Sequence, residues 1–341
     1  MNKIKIKGVN YDVGMSLIPP RTFNEPNASE ITESMRIIKN ELHCNAVRIY
    51  GRNLEKLIEC SHIAINEGLM VWLSPRNVTA SSEETLEYII QCSMAAEQLR
   101  KISPDIVYIL GNEFSLDVKG FIEGETIYDR ILTLSNPFFI IKNSFSSVLH
   151  NALNSYLEKA VFVARRHFKG EITYASGEWE KINWELFDII GLNYYRNIFN
   201  GWKYRRTIRK YSGKIKKLAV TEFGCCSYKG ADKKGAWGYS IVDYRASRPH
   251  LKKIYKRDES VQSDYLIDLL KIYSSENVYA AFIYTFIARK SVYDVNPEYD
   301  LDMANFGLIK VLPPGIKDPD APYLWERKKS FSEVSKFFGE N

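Results

Sequence analysis

Two glutamates stand directly after short apolar runs of the chain. Glu113 follows the run at 106–111, and Glu222 follows the run at 218–221. Hydrolysis of a glycosidic bond needs one carboxylic acid to protonate the departing oxygen and a second carboxylate to attack or stabilise the anomeric carbon. The two glutamates therefore predict glycoside hydrolysis, provided that the fold brings both side chains into one cleft.

The elements that would position these glutamates follow from the pattern of the whole chain. Short apolar, β-rich runs alternate with longer amphipathic segments, which is typical of an α/β protein with a parallel sheet. With 341 residues, the chain is long enough for one (β/α)8 barrel, or TIM barrel, over residues 1–341. We count eight strands, at 4–11, 46–50, 69–74, 106–111, 172–175, 189–194, 218–221 and 278–285.

Helices are predicted between these strands, and two connections are unusually long. The helical segments are 29–42, 54–67, 82–101, 146–168, 261–275 and a closing helix near 324–338. The segments 182–187 and 202–211 are less clearly helical. The long interruptions, 115–143 and 224–256, follow the fourth and seventh strands, at the barrel face where active sites are built.

The sequence resembles the glycoside hydrolases of clan A, whose catalytic glutamates follow the fourth and seventh barrel strands. Asn112-Glu113 and the Thr-Glu-Phe-Gly segment at 221–224 match the two motifs. Gly-Val-Asn-Tyr at 8–11, Asn-Ala-Val-Arg at 45–48 and Gly-Leu-Asn-Tyr-Tyr at 191–195 are similar to further strands of the β-glucuronidase and β-galactosidase type of barrel. The resemblance thus covers most of the strands.

The resemblance implies roles for the two glutamates and a neighbour. Glu113 would be the acid/base and Glu222 the nucleophile of a retaining reaction through a covalent glycosyl-enzyme. Asn112 would bond the substrate hydroxyl beside the reacting carbon.

Three further residues are expected at the substrate site. Arg48 would lie near the nucleophile and favour its ionised form, or would form a structural ion pair inside the barrel. Asn193 and Tyr195 are two residues apart, so on a strand both would point toward the cleft, while Tyr194 would face the helices. By the same resemblance, Tyr195 would hydrogen-bond the nucleophile.

The eighth strand departs from the family pattern, in which a Trp usually supports the sugar. Tyr284 is at the best-matching position, and Phe286 is an equal candidate by strand alternation. Trp202 and Trp237 also fall in cleft-side loops and could stack on a sugar or simply pack. Glu178, after the fifth strand, is a third carboxylate that could bind substrate.

The composition and the motifs of the chain argue against several other classes of protein. The net charge of +6 is modest, and the eight basic residues between positions 203 and 217 favour a solvated helix face over an anion site. No nucleotide, nucleic-acid or metal motif is present, so we expect no cofactor, metal or nucleic-acid partner. The five cysteines and the polar N-terminus favour a reducing cytoplasm, with no membrane contact. The oligomeric state stays open.

An alternative from another class is a barrel that binds a glycan or a protein without turning it over, and the altered eighth strand leaves room for it. Residues 300–307 are faintly similar to barrel proteins labelled abortive phage infection proteins. Transglycosylation by the same two glutamates is also compatible with the sequence. Neither the sugar nor its linkage follows from the residues.

Overall fold

The computed structural model describes residues 3–14, 26–136, 147–313 and 325–340. Eight parallel strands form one sheet, in the order β5-β4-β3-β2-β1-β10-β7-β6. The strands are β1 (Ile6–Asp12), β2 (Ala46–Gly51), β3 (Met70–Pro75), β4 (Val107–Asn112), β5 (Glu171–Ala175), β6 (Ile189–Asn193), β7 (Lys217–Phe223) and β10 (Ala280–Ile283). All eight predicted strands are confirmed.

Hydrogen bonds at Ser176 close the sheet into a barrel. The amide of Asn193 donates to the Ser176 carbonyl at 2.8 Å, and the amide of Ser176 donates to the Gly191 carbonyl at 3.1 Å. These bonds join the ends of β5 and β6, the two strands at the margins of the sheet. The molecule therefore has the predicted (β/α)8 fold.

Helices cover the outside of the barrel and follow the predicted alternation. They are α1 (Ala28–Arg36), α2 (Leu54–Asn66), α3 (Ser82–Ile102), α4 (Phe114–Asp117), α5 (Ile127–Ser135), α6 (Ser147–His167), α7 (Tyr204–Ser212), α8 (Glu259–Ser275) and α9 (Lys329–Glu340). Helix α1 continues as a π-helix, Ile37–Glu41. Between β5 and β6 there is only a short 3-10 turn, Trp184–Leu186. The Ser81 side chain caps α3 by accepting a hydrogen bond from the amide of Glu84, which fits the polar start of that helix.

The predicted closing helix near 324–338 begins later than expected. Residues Trp325–Arg327 form strand β13, which pairs antiparallel with β12 (Ile309–Val311), and β12 pairs with β11 (Ile287–Val292). A strand of three residues is too short to show an alternation of apolar and polar residues, so the sequence alone does not predict it. Helix α9 therefore starts at Lys329.

The two long interruptions contain short elements. Helices α4 and α5 lie in the first, of which residues 137–143 fall outside the described part of the chain. The second holds the 3-10 turns Ala231–Lys233 and Gly235–Ile241 and the ribbon of β8 (Val242–Asp243) with β9 (His250–Leu251).

The barrel interior is filled by side chains that point inward from the strands. The Trp72 and Phe282 ring centres lie 4.7 Å apart there, and Trp72 is fully buried. A β-carbon at Gly8 would lie 2.5 Å from the Phe282 ring, so only glycine fits on β1 beside that ring. Trp72 therefore packs the core and has no access to a sugar.

The basic run at 203–217 lies mainly on the surface, as its charge pattern favoured. Arg205 and Arg209 pair with Glu276, and Lys217 pairs with Glu171. With Lys216, which pairs with Glu185, four of the eight basic residues form ion pairs.

The five cysteines are buried and form no disulfide bond. Within the described ranges, no helix combines the length and the apolar character that crossing a membrane would require.

Candidate active site

Glu113 and Glu222 open into one cleft at the carboxyl ends of the barrel strands. The cleft has a volume of about 2410 Å³, and Asn112, Asn193 and Tyr195 also line it. Glu113 follows β4 and Glu222 lies on β7, and β5 and β6 lie between these two strands in the closed ring. The structure thus brings the sequence-predicted pair together.

Donors from two strands hold the carboxylate of Glu222. Arg48 Nη1 donates to Oε1 at 2.8 Å, and the Tyr195 hydroxyl donates to Oε2 at 3.1 Å. The Arg48 side chain is fully buried, whereas 11% of the Glu222 side chain is exposed. Each carboxylate oxygen therefore has a fixed charged or polar partner, and one edge of the group faces the cleft.

Glu113 sits just past β4 with its backbone in the left-handed region, at φ 44°. This conformation is uncommon for a residue other than glycine. It is maintained by hydrogen bonds on both sides of the residue, since the Glu113 amide donates to the Ala175 carbonyl at 2.9 Å and its carbonyl accepts from the amide of Asp117 at 2.9 Å. The turn thus aims the Glu113 side chain into the barrel mouth.

The surroundings of Glu113 favour its protonated form. Burial within the protein raises the pKa of the carboxyl group to about 8, with a further contribution from the negative charge of Glu222. A hydrogen bond from Asn193 Nδ2, 2.9 Å from Oε1, and the charge of Arg76 act in the opposite direction. At neutral pH, Glu113 can therefore carry the proton that an acid catalyst gives away.

A network of amides connects the two glutamates. Asn112 Oδ1 accepts from Arg48 Nη2 at 2.8 Å and from Asn193 Nδ2 at 3.0 Å, and Thr221 Oγ1 donates to Asn193 Oδ1 at 2.9 Å. Since Arg48 can only donate, the orientation of the Asn112 amide is fixed, with its oxygen toward Arg48. Arg48 is accordingly both a barrel ion pair and a direct contact of Glu222.

Three of the remaining predicted residues also line the cleft: Tyr284, Trp237 and Glu178. The Tyr284 hydroxyl lies 3.3 Å from that of Tyr50. Glu178 accepts a hydrogen bond from Asn200 Nδ2 at 3.2 Å. Each of them is accessible to a ligand in the cleft.

Phe286 and Trp202 do not face the cleft, contrary to expectation. Phe286 is 2% exposed and packs against Tyr11 in the core outside the barrel. Strand β10 ends at Ile283, so the alternation on which Phe286 was placed does not extend to it. Trp202 is 81% exposed and is not part of the cleft lining, although its neighbour Lys203 is. Tyr194 is buried and stacks on Tyr204 of α7, with ring centres 4.5 Å apart, and it also borders the cleft.

Glu180 is a buried carboxylate that the sequence did not single out. Its Oε1 accepts from the amide and hydroxyl of Ser115, at 3.1 and 2.6 Å, and its Oε2 accepts from the Tyr174 hydroxyl and the Gly177 amide, at 2.9 and 3.1 Å. Burial raises the pKa of Glu180 to about 7. It fastens the turn after β5 to the turn that carries Glu113. Glu180 lies in a turn, where no period distinguishes it from Glu178.

No protein-family model and no curated protein sequence matches this chain. Solved structures with a similar fold include a β-mannanase from Alicyclobacillus acidocaldarius, 12% identical, with 100% of this chain and 98% of that chain covered and a TM-score of 0.58. A family 1 β-glucosidase from Thermotoga maritima is 12% identical, with 100% and 98% covered and a TM-score of 0.54.

A β-glucuronidase from an uncultured Clostridium species is 14% identical, with 99% of this chain and 51% of that chain covered and a TM-score of 0.58. This chain therefore spans about half the length of that enzyme. At such identities the likeness is one of fold. The fold shared with these three enzymes is the (β/α)8 barrel.

Proposed function

We propose that the chain is a retaining glycoside hydrolase in which Glu113 is the acid/base and Glu222 the nucleophile. The observation that carries the proposal is the contrast between the two glutamates. Glu222 is held by Arg48 at 2.8 Å, whereas burial raises the pKa of Glu113 to about 8. A carboxyl group that carries a proton, beside a second one whose oxygens accept hydrogen bonds from the protein, suits the acid/base and the nucleophile of double displacement.

In the first step, Glu222 attacks the anomeric carbon as the bond from that carbon to the leaving oxygen breaks. Glu113 transfers its proton to the departing oxygen, and a glycosyl ester of Glu222 forms. In the second step, ionised Glu113 removes a proton from water, the water oxygen attacks the anomeric carbon, and the ester bond breaks. Both glutamates return to their initial states.

The other cleft residues would orient the sugar. Because the Asn112 oxygen accepts from Arg48 and Asn193, its Nδ2 is the donor that a substrate hydroxyl beside the reacting carbon would meet. Tyr284 replaces the usual Trp and could stack on one face of the sugar ring, while Trp237 offers a second aromatic surface. Glu178 could accept a hydrogen bond from a sugar hydroxyl.

The decisive test is covalent labelling of Glu222. The protein is incubated with a panel of 2-deoxy-2-fluoro glycosyl fluorides of gluco, galacto, manno and glucurono configuration, and labelled peptides are mapped by mass spectrometry. We expect one configuration to add a single glycosyl group at Glu222. The E222A variant should not be labelled, whereas E123Q, which alters an exposed carboxylate outside the cleft lining, should still be.

A label on another residue would assign the nucleophile elsewhere. Binding of a glycan without any label, at a protein concentration at which binding is saturated, would support the alternative of a barrel that binds without turnover.

A further inference from the structure

Three lysines occupy one side of the cleft, and we name Lys203, Lys233 and Lys234 the lysine wall. All three line the cleft. Lys203 and Lys233 are exposed, and Lys234 is half-buried. Lys203 lies at the end of the loop from β6 to α7, whereas the other two belong to the 3-10 turn Ala231–Lys233 and the residue after it. The wall is therefore built from two separate loops.

Main-chain contacts fix these two loops against each other. The Ile198 amide donates to the Lys233 carbonyl at 3.0 Å. Gly235 has a φ of 56°, and a β-carbon there would lie 3.1 Å from the Arg196 carbonyl oxygen. A side chain at position 235 would therefore press against the backbone of the other loop. The lysines thus project from a packed surface.

Tyr195 connects the two loops that carry the lysine wall to the proposed nucleophile. Asn200 Nδ2 donates to the Tyr195 carbonyl at 2.9 Å, and the Tyr195 hydroxyl donates to Glu222 at 3.1 Å. The position of a β-carbon at Gly235 lies 3.4 Å from the Tyr195 β-carbon. A ligand that reaches Glu222 along this side of the cleft would therefore pass the three ammonium groups.

The positive charge of the wall exceeds the negative charge of the carboxylates beside it. Among the residues whose contacts the structure describes, none of the three lysines forms a salt bridge; Lys203 lies 5.8 Å from the Trp202 ring centre. Neighbouring cations behave differently, since Arg196 pairs with Asp268. Glu178 lines the cleft and is affected by the charge of Lys203, and Asp232 lies in the same turn as Lys233, so three lysines stand beside two carboxylates.

We propose that the lysine wall binds carboxylate or sulfate groups of an acidic glycan, which names the substrate class of the hydrolase. The inference rests on the proposed function. A lysine is a flexible point charge with three donors, which suits acidic substituents at several positions. A patch with an excess of positive charge also concentrates ligands of the opposite sign. Phe199 and Trp237 line the same side, where sugar faces could stack between the ammonium contacts.

The test uses pairs of ligands that differ in charge alone. Binding to the intact protein is measured by calorimetry for β-1,4-linked tetrasaccharides of glucose and mannose, for the matching uronic acids and for sulfated derivatives. We expect at least one acidic ligand to bind about tenfold or more tightly than its neutral counterpart at low salt, with affinity that falls as salt rises.

Substitution of the wall should remove this preference. The triple variant K203A/K233A/K234A should bind the acidic and neutral members of a pair equally. The matched control K101A/K159A/K336A removes three lysines that are exposed on α3, α6 and α9, outside the cleft lining, and should keep the preference. Thermal unfolding of both triple variants establishes that each is folded.

Three outcomes would overturn the proposal: equal affinity for the two members of every pair, a preference that survives in the wall variant, or tighter lysine-dependent binding of a single-stranded oligonucleotide. The readout is binding and needs no turnover. Failure here would leave labelling of Glu222 intact, and failure of labelling would leave a measured preference for acidic glycans in place.

Discussion

Glu113 combines two features that a surface glutamate does not have. Its backbone is in the left-handed region, and its side chain is partly open to the cleft yet surrounded by protein. Either feature costs folding free energy, because the strained conformation and the desolvated carboxyl group are both avoidable with another residue. The site therefore retains an unfavourable arrangement whose benefit, in the proposed mechanism, is a protonated acid at neutral pH.

The raised pKa of Glu113 predicts a pH-dependent gain in stability for E113Q. Between the ordinary value of 4.5 and about 8, the folded protein holds a proton that the unfolded chain has lost, so the free energy of unfolding falls as pH rises. Glutamine cannot ionise. The difference between E113Q and the wild type should therefore increase in favour of E113Q by about 4 kcal/mol from pH 4.5 to pH 8.5.

Urea denaturation at the two pH values measures this difference. E123Q is the control, since Glu123 is exposed and its replacement should shift stability equally at both pH values. A difference between E113Q and the wild type that does not change with pH would contradict the raised pKa.

At the scale of elements, the turn after β4 is fixed by arginines from its surroundings. Arg76, just past β3, makes two hydrogen bonds to the Asp117 carboxylate at 2.9 and 2.7 Å, and Arg130 of α5 donates to the Leu116 carbonyl at 2.6 Å. Asp117 is the last residue of α4, which starts directly after Glu113. The orientation of Glu113 thus depends on three elements.

The Arg76–Asp117 pair also predicts how the activity should respond to pH. In the proposed mechanism, kcat/KM declines as Glu113 loses its proton near pH 8. D117N leaves the charge of Arg76 without its partner, and an unneutralised cation favours ionised Glu113. The decline should therefore move to lower pH by about half a unit to one unit.

The measurement is the pH profile of kcat/KM on an aryl glycoside of the configuration found by labelling. E123Q, on the same segment, should leave the profile unchanged. A decline that stays in place or moves to higher pH in D117N would show that Arg76 does not act on Glu113.

At the scale of the whole molecule, the pattern of apolar residues along the sequence determined how much of the fold and of the site could be predicted. Parallel strands that are covered on both faces are continuously apolar, so all eight strands, and with them the positions of Glu113 and Glu222, could be read from the chain. The positions of residues outside regular strands and helices could not be predicted in this way. Phe286 lies beyond the end of its strand, Trp202 lies in a turn, and the partners of Glu180 come from distant segments.

A substitution at the end of the barrel opposite to the cleft should lower the stability of the protein without changing its activity. Phe338 of α9 is 1% exposed, and its carbonyl accepts a hydrogen bond from Lys7 Nζ at 2.7 Å, near the start of β1 and opposite to the cleft. F338A should lower the free energy of unfolding by about 3 kcal/mol, because it removes a buried ring and leaves a cavity. At 25 °C, where the variant is folded, kcat/KM should equal that of the wild type. F162A, at a side chain that is 67% exposed, should change stability by less than about 0.5 kcal/mol. Urea denaturation and steady-state kinetics on the same samples test both statements. A lower kcat/KM in fully folded F338A would contradict the prediction, because it would show that packing at the base of the barrel affects the glutamates at its mouth.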